Sequence, residues 1–206
     1  MGKGVLAQTR NAHYLRPMAI RDIIEVPDPR LKRVSAPVTA FDDALKTLAA
    51  DMFETMYDAP GIGLAAIQVG EPIRLLVIDL QPEDEDAEPE LCEAHGGHAH
   101  YHQPVKLEPR IFVNPEIVEA SEELTTYNEG CLSVPEIFAE VDRPSRIRAR
   151  WQDLDGKVYE EEIGGMLATC LQHEMDHLEG VVFLDRISRL KRQMAMKKLQ
   201  KMRQAA

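Results

Sequence analysis

Within the stretch GMLATCLQHEMDHLEG, the apolar residues Met166, Leu167, Cys170, Leu171, Met175 and Leu178 recur at intervals of three and four, which predicts a helix stopped near Gly180. Inside it stands His173-Glu174-Met175-Asp176-His177. Residues four apart on a helix sit one turn above each other on the same face, so the imidazoles of His173 and His177 can reach one metal ion. Glu174 lies beside them, close enough to act on water at that ion without being a ligand itself. The alternative is a plain helix with two surface histidines, and the helical context counts against it.

A catalytic metal needs a third protein ligand and an open position for water. A downstream histidine, a downstream acid or a cysteine could supply it. No histidine follows His177. Glu179 is too close on the helix to turn back easily, and Asp185 falls near the helix end, so neither resembles the spaced third ligand of common zinc peptidases. Cys131 lies in Glu129-Gly130-Cys131-Leu132-Ser133-Val134-Pro135, where Gly130 permits close backbone approach and Pro135 stiffens the exit.

Three segments, Gly61-Ile62-Gly63-Leu64-Ala65-Ala66-Ile67-Gln68, Glu129-Gly130-Cys131-Leu132-Ser133 and Gln172-His173-Glu174-Met175-Asp176-His177, resemble in order and spacing the three signatures of the peptide deformylases. The likeness runs over residues 18–188. It implies that Cys131, His173 and His177 bind the metal and that Glu174 is the general acid and base. It also implies that the Gln68 side-chain amide and the Leu132 N–H hold the formyl oxygen of an N-formylmethionyl nascent peptide, and that Gly63 pairs with substrate backbone. The product would be formate. Ile62, Cys170 and His173 are expected to line an apolar methionine pocket, with Cys170 packing beneath the site rather than ligating. A thiolate with two imidazoles suits Fe(II), Zn(II), Ni(II) or Co(II), and the resemblance favours Fe(II) in the cell. The rival readings are a zinc endopeptidase and a non-catalytic ribosome-associated protein that keeps a metal for stability.

A chain of 206 residues is sized for one domain, and 44% hydrophobic with 29% charged residues is the balance of a soluble protein. No apolar run approaches the roughly 18 to 20 residues of a bilayer span, so no membrane partner is expected. Cys92, Cys131 and Cys170 are too few and too irregular for a disulfide framework; with no secretory signal, the cytoplasm is the expected compartment. The net charge of −11 is uneven: residues 185–206 hold eight Lys or Arg against Asp185 alone, so that tail is +7 and the remainder −18. An acidic body should avoid DNA, whereas the basic tail is either a solvated helix or an address for a polyanion. By analogy with bacterial deformylases, the resemblance makes that polyanion the ribosome near its exit tunnel.

The expected organisation is a leader at 1–17 outside the fold, disordered or added, a catalytic domain at 18–188 and a basic C-terminal helix at 189–206. Apolar spacing predicts an amphipathic helix over 42–57 capped by Asp42, then a glycine loop and a buried strand over 73–80. Residues 82–104 break every pattern and read as an exposed, mobile, acidic and His-rich insertion, in which His95, His98, His100 and His102 could hold a second metal or simply be loop histidines. Short strands follow, with a hairpin turn at Asp155-Gly156 and a third helix over 187–202. The class is α+β: antiparallel strands packed around a central HExxH helix, with a helix at the C-terminus.

Overall fold

Asp42 starts the first helix: its Oδ1 accepts from the Leu45 N–H at 3.0 Å, and α1 (Asp43–Asp58) follows with Leu45, Leu48, Met52 and Met56 buried along one stripe. The computed structural model describes residues 19–83 and 105–205, together with the backbone of 90–93 and 99–102. The leader at 1–17 lies outside the described residues, as do His95 and His98 of the second-metal reading.

After α1 the glycine loop holds more structure than expected. Gly63–Ala65 forms a short strand, β1, and Ala66–Val69 a single 3-10 turn closed by Gly70 at φ 90°. β1 pairs antiparallel with β2 (Leu75–Ile78), so its backbone groups are satisfied on one side beside a buried site. β2 is shorter than the expected 73–80, because Ile73 bridges Ala36 instead and the Asp79 N–H turns to the Ile62 carbonyl at 3.0 Å.

The 82–104 stretch differs from its sequence reading. Within it β3 (Glu90–Glu93) and β4 (Ala99–His102) pair as a two-stranded sheet. The acidic and histidine composition obscured that pairing in the sequence.

β5 (Arg110–Ala120), β6 (Leu124–Cys131), β7 (Val134–Pro144), β8 (Arg146–Gln152) and β9 (Val158–Gly164) complete the strands. One antiparallel sheet runs β1-β2-β5-β8-β9, and β6 with β7 forms a separate hairpin. Gly156, at φ 81°, occupies the expected turn between β8 and β9. The HExxH helix is α2 (Gly165–Leu178), and α3 (Arg189–Ala205) closes the chain, its first turn held by Ser188 Oγ accepting from the Lys191 N–H at 3.3 Å.

The apolar run of β2 shows why α2 ends up central. Leu75 and Val77 join the cluster of Met52 and Met56 under α1, while Leu76 and Ile78 join Phe112, Trp151 and Leu171 under α2. A strand covered on both faces needs no alternation, which is what Leu-Leu-Val-Ile supplies. β8 is covered on one face only and alternates, with Ile147, Ala149 and Trp151 inward and Arg146, Arg148 and Arg150 outward. A third cluster joins Ile24, Val26 and Leu31 to Val134, Val141, Phe183 and Leu199, seating both the β6–β7 hairpin and α3 against the body. The architecture is the α+β arrangement expected from the sequence.

Candidate metal centre

α2 is buried on nearly every side, which brings its two histidines against the end of β6, where Leu132 and Ser133 make the tight turn into β7. There Cys131 Sγ lies 3.2 Å from His177 Nε2, and the ligand atoms of Cys131, His173 and His177 all fall within 4.8 Å of one another. Donors at 2.0 to 2.3 Å around a tetrahedral ion stand roughly 3.3 to 3.7 Å apart, so three donors gathered this closely fit one first-row divalent ion. His173 Nδ1 donates to Glu129 Oε2 at 2.8 Å, which leaves Nε2 for the cluster, the usual arrangement of a ligating histidine. Phe183 stacks on the His173 ring, with centroids 6.1 Å apart.

Glu174 stands next to this cluster, buried, and its Oε2 has no hydrogen-bond partner among the described residues. Burial pushes its carboxyl up to about 7, against the charges of His173 and Arg143, and a cation in the cluster would pull it down again. Its space depends on Gly63, where a Cβ would lie 2.5 Å from Glu174 Oε1 and 2.9 Å from Cys170 Sγ. Gln68 is held at both ends of its amide. Oε1 accepts from the Ala65 N–H at 2.7 Å, while Nε2 donates to Ser133 Oγ at 3.1 Å and points at Cys131 Sγ at 3.6 Å.

The two histidines differ in proton affinity. Burial disfavours the His173 cation, but hydrogen bonding to Cys131 and Glu129 outweighs it and raises the pKa well above the ordinary range; burial, joined by the charges of His173, Arg143 and Lys32, drives that of His177 well below. On His173, a proton would compete with any metal ion for the same Nε2 lone pair.

Sequence reasoning missed the residues that hold these side chains in place. Arg143, only 2% exposed, donates through Nε and Nη2 to the two oxygens of Glu129 at 2.5 and 2.9 Å, and through Nη1 to Asp176 at 2.9 Å. Burial works against both charges, yet the mutual hydrogen bonds keep Glu129 below and Arg143 above their ordinary values. Glu129 and Asp176 sit inside the recognised segments, but nothing local marks Arg143 as their partner, since the pairing joins residues 14 and 33 positions apart.

A cleft of about 520 Å³ opens beside the cluster and brings together every sequence-predicted residue except His177, which is buried behind it. Ile62 and Cys170 are among its lining residues, as are Tyr127, Phe138 and Met166, which were not foreseen. Cys170 is buried, and burial pushes its thiol well above the ordinary range, which fits packing rather than reactivity.

The comparisons decide what such a centre belongs to. The model of the polypeptide deformylase family matches residues 20–193. The chain belongs to the peptide deformylase family. A peptide deformylase of Novosphingobium aromaticivorans is 74% identical over 189 residues, 92% of this chain and all of that one. Among solved structures, the peptide deformylase of Legionella pneumophila superposes with a TM-score of 0.75 at 41% identity, covering 91% of this chain and 97% of that one. That of Ehrlichia chaffeensis in complex with actinonin gives 0.74 at 39%, covering 90% and 98%. Deformylases are metal-dependent hydrolases that remove the N-formyl group from nascent polypeptides and release formate, and this chain is an enzyme of that kind. The endopeptidase and non-catalytic readings fall away. No described helix is long and apolar enough to cross a membrane.

Proposed function

We propose that Cys131, His173 and His177 hold one divalent metal ion, and that Glu174 serves as general acid and base in hydrolysing the formyl group of an N-formylmethionyl nascent chain. The observation that carries this reading is the gathering of the three ligand atoms within 4.8 Å beside a buried carboxylate. When bound, the ion supplies a Lewis acid for the formyl carbonyl and lowers the pKa of water toward neutrality.

Glu174 takes the proton of the attacking water, and its otherwise unpartnered Oε2 suits that task. Gln68 Nε2 and the Leu132 N–H hold the formyl oxygen as negative charge develops, donors of a kind that contribute about 3 to 4 kcal/mol each. Because Ala65 and Ser133 already fix the Gln68 amide, no rotamer freedom is lost when the substrate arrives. The carbon–nitrogen bond then breaks, and Glu174 passes the proton to the departing amine, giving formate and a free methionine terminus. Gly63 lies on β1, the edge strand of the five-stranded sheet, whose outer side suits pairing with an extended peptide backbone. Ile62 and Cys170 contribute to the methionine pocket.

The donor set accepts Fe(II), Zn(II), Ni(II) or Co(II), and family resemblance supports Fe(II) in the cell. The cytoplasm is the compartment where nascent formylated chains would be met. α3 is proposed to dock on ribosomal RNA near the exit tunnel through exposed Lys191, Lys197 and Lys201, which stand outside its ion pairs among the described residues. Leu199 is buried and Arg203 bonds to Glu25, so charge reversal of those three lysines tests the docking better than deletion of the helix.

The test of the function is formate release from N-formyl-Met-Ala-Ser by anaerobically purified protein with one metal ion per chain. Release is expected, and none from fully metallated protein would overturn the proposal.

A further inference from the structure

We propose that Arg186 is a positioning residue for the metal centre, acting on His173 through Asp176, Arg143 and Glu129. The proposal rests on the reading of His173 as a ligand. Arg186 lies ten residues beyond Asp176, between the 3-10 turn Phe183–Asp185 and α3, outside all three recognised segments. Its side chain is 45% exposed, whereas that of Asp176 is 11% exposed. It grips the Asp176 carboxylate with two bonds, one from Nε at 2.5 Å and one from Nη2.

The next links are buried ion pairs. Arg143 gives Nη1 to Asp176 and both Nε and Nη2 to Glu129, with its side chain only 2% exposed. Oε2 of Glu129 is shared between Arg143 Nη2 at 2.9 Å and His173 Nδ1 at 2.8 Å. The last contact fixes the His173 tautomer and aims Nε2 at the cluster.

Arg186 matters because a guanidinium is a rigid planar fork. Without Arg186, Asp176 would keep one partner for a largely buried carboxylate. Asp176 Oδ1 loses its donor, and the carboxylate recovers by turning toward the remaining Nη protons of Arg143, which pulls that rigid guanidinium out of line with the two oxygens of Glu129. Glu129 then turns, and the His173 ring turns with it.

A merely structural role would be to tether the root of α3, and Asp185 separates the two. It joins Lys32 and Arg192 at the same root without touching Asp176. The full-length protein is loaded with Co(II), and affinity, by chelator competition, is measured with the visible absorption bands for wild type, Arg186→Met, Arg186→Lys and Asp185→Asn. Arg186→Met is expected to weaken Co(II) binding on the order of 3- to 10-fold, below the roughly 10- to 100-fold carried by partners in direct contact with a ligand, and to shift the bands. Arg186→Lys keeps the charge but not the fork, so it should give a smaller loss of the same sign, and it carries the test if the methionine variant does not fold. Asp185→Asn should bind as wild type does. Unchanged affinity and bands in both Arg186 variants, or an equal loss in Asp185→Asn, would overturn the proposal. A wild type whose Co(II) bands persist in His173→Ala would overturn the ligand reading beneath it.

Discussion

The Cβ that Gly63 lacks would lie 2.5 Å from Oε1 of Glu174, closer than real Cβ atoms approach anything. Both residues are buried, so neither has free space to yield into. Gly63→Ala should therefore displace the Glu174 carboxylate without emptying the metal cluster. We expect kcat to fall about 100-fold or more, the range that a misplaced general base costs, with metal content unchanged. Steady-state formate release with metal analysis checks this, and near-normal kcat would show that Glu174 has another stable position.

Arg143 neutralises Glu129 and Asp176 where water does not reach. Removing it leaves two buried carboxylates short of a partner, and breaking a buried pair in this way costs about 3 to 5 kcal/mol. Arg143→Leu should lower the urea midpoint accordingly, whereas Arg150→Leu, on the outer face of β8, should change it by well under 1 kcal/mol.

Asp185 predicts a pH effect away from the metal. Burial raises its pKa, but the hydrogen bonds from Lys32 and the Val182 N–H, with the charges of Lys32 and Arg192, outweigh that and hold it below the ordinary 3.8. A carboxyl whose folded pKa is depressed stabilises the fold above its unfolded pKa, and the contribution is lost as pH falls through the folded value. Asp185→Asn should be less stable than wild type at pH 7, with the gap narrowing at pH 3. Thermal unfolding at both pH values checks this; a gap that widens in acid would contradict it.

Leu199 anchors the basic helix. It is 1% exposed among Val134, Val141 and Phe183, so Leu199→Ala should cost about 2 to 5 kcal/mol by opening a cavity. Turnover of a short formyl peptide should survive in folded protein, because α3 supplies no residue to the cleft. A loss of kcat equal to that of Gly63→Ala would place α3 in the catalytic path.

Local chemistry made much of this legible. Asp42 and the apolar stripe after it predict α1, and Asp155-Gly156 predicts the β8–β9 turn. His173 and His177 at helical spacing predict imidazoles on one face, and the recognised segments point to Cys131 and Gln68, which the fold brings beside them. What sequence did not give were relations between distant segments. β1 looked like a glycine loop because three residues hold no periodicity, and only pairing with β2 makes them a strand. β3 and β4 were hidden by acidic and histidine composition. Arg143 reads as an ordinary strand arginine, and its role exists only because the hairpin folds it onto α2.

Glu174 is where the account is most exposed. Glu174→Gln nearly preserves shape and removes the base, so it should bind the same one metal ion per chain and release formate from N-formyl-Met-Ala-Ser at least about 100-fold more slowly than wild type. Equal metal content with wild-type formate release would contradict the assignment of Glu174 and, with it, the mechanism proposed for this centre.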